Sequence, residues 1–184
     1  MVYFHKKPVQ RGVLGRWLRA SGSLSARLAA SGQCFSVQVI CQGRCALSAD
    51  EADALGMLRQ REGYVREVIL RVDEQAMVFA RSITSHADSL AAWRSVRGLG
   101  TRPLADVLFK CADISRQPLQ YAQFKPHTPL HRHVDHAWHC ATGQPLIRQT
   151  LPVRRSVFMR QGAPLIVTEV FAAPRSVWHG CGSN

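Results

Sequence analysis

Residues 64–83, YVREVILRVDEQAMVFARSI, decide the fold, because they have the pattern of two β-strands joined by a tight turn. β-Branched and aromatic residues fill both halves of the segment, and the polar residues Asp73, Glu74 and Gln75 separate the halves. Two such runs around a short polar break are typical of a β-hairpin. We therefore predict a hairpin around which the rest of the chain is organised.

One arginine of the first strand lies on a face that is otherwise apolar. Because side chains alternate between the two faces of a strand, Arg66 shares its face with Val68, Leu70 and Val72. A guanidinium stays charged there, and a buried charge without a partner is very costly. The sequence therefore predicts that an anion meets Arg66, either a carboxylate of the protein or a ligand.

Two further charged residues stand among apolar neighbours near the end of the chain. Glu169 shares a strand face with apolar residues of the segment 164–171, PLIVTEVF, and Arg155 does so in the strand predicted for 153–160. One reading is a buried ion pair between Arg66 and Glu169 that fixes the strand order. The other is a ligand cavity lined by both residues. Spacing alone leaves the two readings open, because structural ion pairs and binding sites both bury charge.

Length and composition indicate a globular protein of one domain, residues 1–184. The apolar fraction is 46%, and no apolar run approaches the roughly 20 residues of a membrane helix. The basic N-terminus lacks the continuous apolar segment of a secretory signal. We therefore expect a cytoplasmic protein. In that compartment we expect the six cysteines to be reduced thiols and not a disulfide framework, and we expect no metal to be bound by them.

The formal net charge of +12 favours anionic partners. No DNA-recognition helix, zinc finger or aromatic RNA-binding motif occurs in the sequence, so nucleic acid is not the expected partner. The charges are spread along the chain and do not form one dense block. Steering of a small dianion and peripheral association with an acidic membrane surface both stay open, and we expect a monomer.

The remaining segments predict helices between short strands. We expect a helix over Gly15–Ala30 that breaks at residues 21–23, with Ser23 as the cap of its second half. Further expected elements are a strand Cys34–Cys41 that turns at Gly43 into Cys45–Leu47, helices within Asp50–Leu58 and His86–Val96, a strand Leu119–Phe124 and a frayed tail after Pro174. Strands joined by short turns with helices between them predict an α+β domain around an antiparallel sheet.

One stretch, residues 125–151, departs from this pattern. It contains five of the eight histidines and is punctuated by prolines. We interpret it as a His-rich insertion loop that is dispensable for chemistry. Histidine clusters can bind metal, but a flexible tract lacks the fixed frame that a metal site needs, so no metal is expected.

Six blocks of the chain, in order, resemble the chorismate pyruvate-lyase family. They are WLRASGSLSARL, VREVIL, VFARSI, LGTRPLADVLF, RRSVF and PLIVTEVF, and they span residues 17–171 except for the His-rich stretch. The resemblance implies a single antiparallel sheet with helices packed as flaps over an internal ligand cavity. It also implies conversion of chorismate to 4-hydroxybenzoate and pyruvate, the first step of ubiquinone biosynthesis, without metal, nicotinamide or flavin.

The resemblance assigns roles to five residues. Arg66 matches the arginine that holds the ring carboxylate, and Glu169 matches the glutamate at the end of the ring where the ether breaks and the phenol forms. A carboxyl group in an apolar pocket tends to keep its proton, so Glu169 could donate one to the leaving oxygen. Leu24, Ala80 and Leu104 match positions that line the cavity, although some members have glycine in place of Ala80.

Arg155 is a second arginine among apolar neighbours, and we expect it to contribute to substrate binding.

The alternative function is a non-catalytic effector domain of the same fold that binds a small anion. Such domains are normally fused to a DNA-binding helix-turn-helix, and about thirty residues before the first strand are too few for one.

Overall fold

The structure, a computed structural model, is built around one β-sheet. It describes residues 3–57, 62–146 and 148–180, without the side chains of residues 179 and 180. Within these residues, seven strands form the sheet: β1 (Phe35–Ala46), β2 (Glu62–Val72), β3 (Gln75–Ser85), β4 (Ile114–Arg116), β5 (Gln120–Phe124), β6 (Leu151–Arg160) and β7 (Ala163–Phe171). Their order is β1–β2–β3–β7–β6–β4, with β5 also paired to β6, and all pairings are antiparallel. The prediction of an α+β fold with a single antiparallel sheet is confirmed.

The predicted hairpin is present as β2 and β3. Asp73 and Glu74 form its two-residue turn, with φ values of +47° and +65°. Two consecutive positive φ values give a turn whose twist matches that of the flanking strands. The polar break in the sequence therefore closes the hairpin, and both strands are buried along most of their length.

Eight helices lie in the described part of the chain. They are α1 (Gly12–Arg19), α2 (Leu24–Ala29), α3 (Ala49–Ala54), α4 (His86–Leu90), α5 (Arg94–Arg97), α6 (Ala105–Leu108), α7 (Pro129–Thr142) and α8 (Arg175–Gly180). The predicted break between α1 and α2 is confirmed, because the Ser23 hydroxyl accepts a hydrogen bond from the Ala26 backbone N–H at 3.0 Å. The helix expected over Asp50–Leu58 is the shorter α3, and Leu58 lies outside the described residues.

Helices cover both faces of the sheet. On one face, α1, α2 and α8 pack on β2, β3 and β7, and α5 and α6 lie beside them. On the other face, α7 and α3 pack on the same central strands. Among the described residues, no helix combines the length and the apolar composition that crossing a membrane requires.

The first strand differs from the prediction. We expected a turn at Gly43, but β1 continues from Phe35 to Ala46 and pairs with β2 throughout. The pairing register shifts between Val39 and Cys41, as in a β-bulge. Gly43 lies beyond this bulge and pairs regularly with Val65, so the glycine that suggested a turn sits inside the strand.

The prediction of a loop over residues 125–151 is wrong, because most of this stretch is the 14-residue helix α7. The Thr128 hydroxyl caps it, Pro129 occupies its first turn, and Gly143 ends it with a φ of +71°. Proline and glycine at these positions are helix boundaries rather than loop markers. Its buried residues form one stripe on the sheet: His131, Val134, Ala137 and Trp138.

Two other expectations are corrected by buried tryptophans. The helix predicted over His86–Val96 is divided into α4 and α5, because Trp93 turns inward and its indole N–H donates to the Ala163 carbonyl at 3.2 Å. Residues 175–180 of the tail predicted to be frayed form α8, in which Trp178 is buried against Trp17 and Phe171, and residues 181–184 lie outside the described residues. Burial of an aromatic side chain thus divides a predicted helix in one case and orders a segment predicted to be frayed in the other.

Candidate active site

Two rows of side chains cross four neighbouring strands and form the floor of a cavity. One row consists of Arg66, Ser82, Val167 and Ser156, which are paired in register across β2, β3, β7 and β6. The adjacent row consists of Val68, Ala80, Glu169 and Arg154. All eight residues line the same cavity.

Residues 22–25 and residues 103–109 cover this floor, and we call these two segments the flaps. Leu24 belongs to the first flap, Leu104 belongs to the second, and both side chains line the cavity. Ala80 lies on the floor between them. The three positions assigned to the cavity from the family resemblance are therefore brought together.

Arg66 is buried, with 2% of its surface exposed. Its Nη2 donates to the Gly100 carbonyl at 2.9 Å and to the Arg102 carbonyl at 3.1 Å. Its Nε is buried and has no hydrogen-bond partner among the described residues. Burial lowers the pKa of Arg66, but a guanidinium remains charged at neutral pH. A buried cation with an unused donor beside a cavity is suited to binding an anionic ligand.

Glu169 pairs with Arg154 and not with Arg66. Arg154 contacts both carboxylate oxygens, through Nε to Oε2 and through Nη2 to Oε1 at 3.3 Å. Its Nη1 donates to the Ala20 carbonyl at 3.0 Å and so ties the α1–α2 connection to the sheet. The reading in which Arg66 and Glu169 form a structural ion pair is therefore wrong, whereas both residues do line one cavity.

The expectation for Arg155 is corrected by its position. Arg155 lies on the opposite face of β6, where its Nε and Nη2 donate to the Gln120 side chain at 3.2 and 3.0 Å. Its guanidinium stacks 3.6 Å from the centre of the Phe4 ring. The apolar residues Val153, Val157 and Met159 share the face of Arg155, whereas the cavity lies on the face of Arg154, so apolar alternation selected the wrong one of the two adjacent arginines.

Arg116, on the short edge strand β4, also lines the cavity and was missed from the sequence. Its Nε and Nη2 donate to the Ser156 hydroxyl at 3.1 and 2.7 Å, and its Nη1 donates to the Gly22 carbonyl at 3.0 Å. Burial, and after it the charge of Arg154, lower the pKa of Arg116. A three-residue strand has too little pattern to predict, so nothing in the sequence marked this residue.

The charged residues of the cavity carry an excess of positive charge. Among the described residues that line it, three have a guanidinium group and one has a carboxylate, which gives a net charge of +2. Apolar side chains provide most of the remaining wall. Such a site favours a compact organic dianion, since charges in a water-poor pocket interact strongly.

The histidines of α7 lie on the other face of the sheet. His133 contacts the Glu67 carboxylate at 2.6 Å, and Arg81 donates to the same carboxylate at 2.5 Å. Burial would raise the pKa of Glu67, but hydrogen bonds and charge from His133 and Arg81 together hold it below its usual range. His131 is buried, and its Nε2 lies 3.1 Å from the Gln149 carbonyl. These contacts stabilise the helix and do not reach the cavity.

Replacing His131, His133 and His136 together with alanine is therefore expected to leave turnover per folded molecule within about threefold of wild type, because the sheet separates them from the cavity. The free energy of unfolding should fall by about 1–3 kcal/mol, since buried hydrogen bonds are lost. Steady-state kinetics and thermal melting measure the two effects. His136→Ala alone is the control, with little change in either. A complete loss of turnover at an unchanged melting temperature would contradict this assignment.

A single antiparallel sheet with a covered, cationic cavity on one face defines a class of small domains suited to binding compact organic anions. Comparison with known proteins shows the family within this class. The model of the chorismate lyase family matches residues 9–181. The chain belongs to the chorismate lyase family, and it is a carbon–oxygen lyase.

Relatives across nearly the whole chain carry a consistent name. A probable chorismate pyruvate-lyase of Albidiferax ferrireducens is 61% identical over 178 residues, which cover 97% of this chain and 90% of that protein. A probable chorismate pyruvate-lyase of Cupriavidus metallidurans is 38% identical over 156 residues, 85% of this chain and 71% of that protein.

A solved structure shares the fold at low sequence identity. The effector domain of PhnF from Mycobacterium smegmatis superposes with a TM-score of 0.56 at 13% identity, covering 92% of this chain and 93% of that domain. At this identity the similarity shows the fold alone.

Proposed function

We propose that this protein converts chorismate to 4-hydroxybenzoate and pyruvate in the cytoplasm, as the first step of ubiquinone biosynthesis. The observation that carries the proposal is the buried Arg66, whose Nε has no partner in the described part of the chain and which lines a cavity of net charge +2. Chorismate has two carboxylates, so its charge complements that of the cavity. Family membership supports the same substrate.

The reaction is an elimination that needs no electron acceptor. The bond between ring carbon 3 and the ether oxygen breaks, the hydrogen on carbon 4 leaves as a proton, and the ring becomes aromatic. The three-carbon fragment takes up one proton and is released as pyruvate. Atoms and electrons balance between one substrate and two products, and aromatisation supplies much of the driving force.

Residues of the cavity have distinct tasks in this reaction. Arg66 binds the ring carboxylate and, with the flaps, orients the ring against the floor. Glu169 lies in the second row and serves the end of the ring where the bonds change. Its pair with Arg154 holds the Glu169 side chain in place at the cavity floor. Glu169 accepts the carbon-4 proton and passes it to the departing fragment.

The test is incubation of purified, chelator-treated protein with chorismate. We expect 4-hydroxybenzoate and pyruvate to appear in equal amounts, faster than in a heat-denatured control. Absence of both products, or activity that returns only when a metal is added, would contradict the proposal. The alternative, a non-catalytic effector domain, predicts binding of a small anion such as 4-hydroxybenzoate without turnover of chorismate. Calorimetry with 4-hydroxybenzoate on the same preparation separates the alternatives.

A further inference from the structure

We propose that Arg116, oriented by Ser156, binds the second carboxylate of the substrate, the one that departs with the three-carbon fragment. The inference rests on the proposed function, because it assigns part of that same cavity. It names a specificity-determining residue that would distinguish the dianionic substrate from the monoanionic aromatic product. Arg116 would thus be a substrate-binding residue.

The three guanidinium groups of the cavity differ in their partners. Arg154 is occupied by Glu169 and by backbone carbonyls of residues 17, 18 and 20. Arg66 has an unused Nε, which suits the ring carboxylate. In the described residues, Arg116 has no carboxylate within ion-pair distance. The cavity therefore contains two cations without an acidic partner, and the substrate contains two carboxylates.

Arg116 retains two hydrogen-bond donors that no described residue uses. A guanidinium has five N–H groups. Three of them are taken by the Ser156 hydroxyl and the Gly22 carbonyl, which leaves one N–H on each terminal nitrogen. Two such donors are the number that a bidentate carboxylate accepts. Burial and the charge of Arg154 both disfavour the charged form of Arg116. The second carboxylate of the substrate, bound at the two retained donors, would offset this cost.

Arg116 lies across the sheet from Arg66. Arg66 and Ser156 are the two ends of one row that spans four strands. Three strand spacings of about 4.8 Å separate their backbones by about 14 Å. Arg116 lies on β4, the next strand beyond β6, and both arginines line the cavity, so the two cations approach it from opposite sides. A substrate with two separate carboxylates requires cations placed in this way.

The Arg116 guanidinium is held in place by aromatic rings and by the flaps. The Phe109 and Phe158 ring centres lie 5.7 and 5.4 Å from its central carbon. Gly22 and Phe109 belong to the two different flaps, so Arg116 connects both flaps to the sheet. Preorganised donors of this kind lose little freedom when they bind, which is the condition for selective recognition.

The test compares substrate with product in Arg116→Met and Arg116→Lys. For Arg116→Met we expect KM for chorismate to rise roughly 10- to 100-fold, as for a lost charge-assisted contact. The Kd for 4-hydroxybenzoate, which lacks the second carboxylate, should change less than about threefold. Arg116→Lys should recover part of the lost affinity because it keeps the charge but not the fork. Arg132→Met, which removes an exposed arginine of α7, is the charge-matched control and should change neither value.

Three outcomes would overturn the inference: an unchanged KM, equal weakening of chorismate and 4-hydroxybenzoate, or no difference between Arg116→Met and Arg132→Met. Circular dichroism confirms the fold, and Arg116→Lys serves as the test variant if Arg116→Met does not fold. Wild-type turnover in the same series tests the proposed function separately. If wild type binds chorismate but does not convert it, calorimetric Kd values for the intact dianion replace KM, and the same comparison still decides the role of Arg116.

Discussion

Arg66→Ala is expected to weaken the binding of 4-hydroxybenzoate and of chorismate together, by about 2–5 kcal/mol. The physical reason is that a carboxylate in the cavity would lose the buried cation whose Nε has no other partner in the described residues. Water cannot replace this contact well in a covered pocket, because the charge is largely desolvated there. Isothermal calorimetry with 4-hydroxybenzoate and steady-state kinetics with chorismate measure the two losses.

Conservative variants separate binding from folding at this position. Arg66→Lys should recover little affinity, because an ammonium group cannot reproduce the fork that contacts a carboxylate while it also donates to the Gly100 and Arg102 carbonyls. Arg132→Met is again the charge-matched control. If Arg66→Ala lowers the melting temperature but binds 4-hydroxybenzoate as wild type does, Arg66 is structural and its assignment to the ring carboxylate is wrong.

Glu169→Gln is expected to lower turnover by roughly 10²- to 10⁴-fold, the range for loss of a general acid or base. Binding of 4-hydroxybenzoate should change by less than about tenfold, since the amide keeps a polar contact with the ligand. The free energy of unfolding should also fall, by up to about 3–5 kcal/mol, because Arg154 loses its buried anionic partner. Kinetics per folded molecule, calorimetry and chemical unfolding give the three values.

The double variant Arg154→Met/Glu169→Leu distinguishes a catalytic from a purely structural Glu169. Replacing a buried ion pair by apolar residues of similar volume is often neutral for stability. We therefore expect the double variant to melt close to wild type while remaining inactive. A double variant that regains turnover along with its stability would show that Glu169 acts only through the pair with Arg154.

The central strands could be predicted because their local sequences and their burial agree. In β2 and β7 the cavity-facing side is apolar except for one charged residue, Arg66 or Glu169, which therefore stands out. The partner of Glu169 could not be predicted, since strand order decides it: β7 lies between β3 and β6. The family resemblance gave the cavity positions Leu24, Ala80 and Leu104, which periodicity alone assigns to the core.

The missed features share a physical cause, because each depends on contacts between distant segments. Arg154 and Arg155 are adjacent on a strand that is largely buried on both faces, and only the packing of α7 and of the flaps shows which face lines the cavity. Helix α7 has a capping threonine, a first-turn proline and a terminal glycine, which are helix-boundary signals. Its high histidine content nevertheless led to the prediction of a loop. Arg116 becomes significant only when β4 pairs with β6.

A crystal structure of the protein with bound 4-hydroxybenzoate tests the central claim most directly. The account predicts the product in the cavity between the sheet and the two flaps. Its carboxylate should lie within about 2.7–3.2 Å of Arg66 nitrogens, including Nε, with its hydroxyl beside the Glu169 carboxylate. Product bound on the opposite face of the sheet, or a carboxylate at Arg116 with Arg66 Nε still unpartnered, would contradict the account.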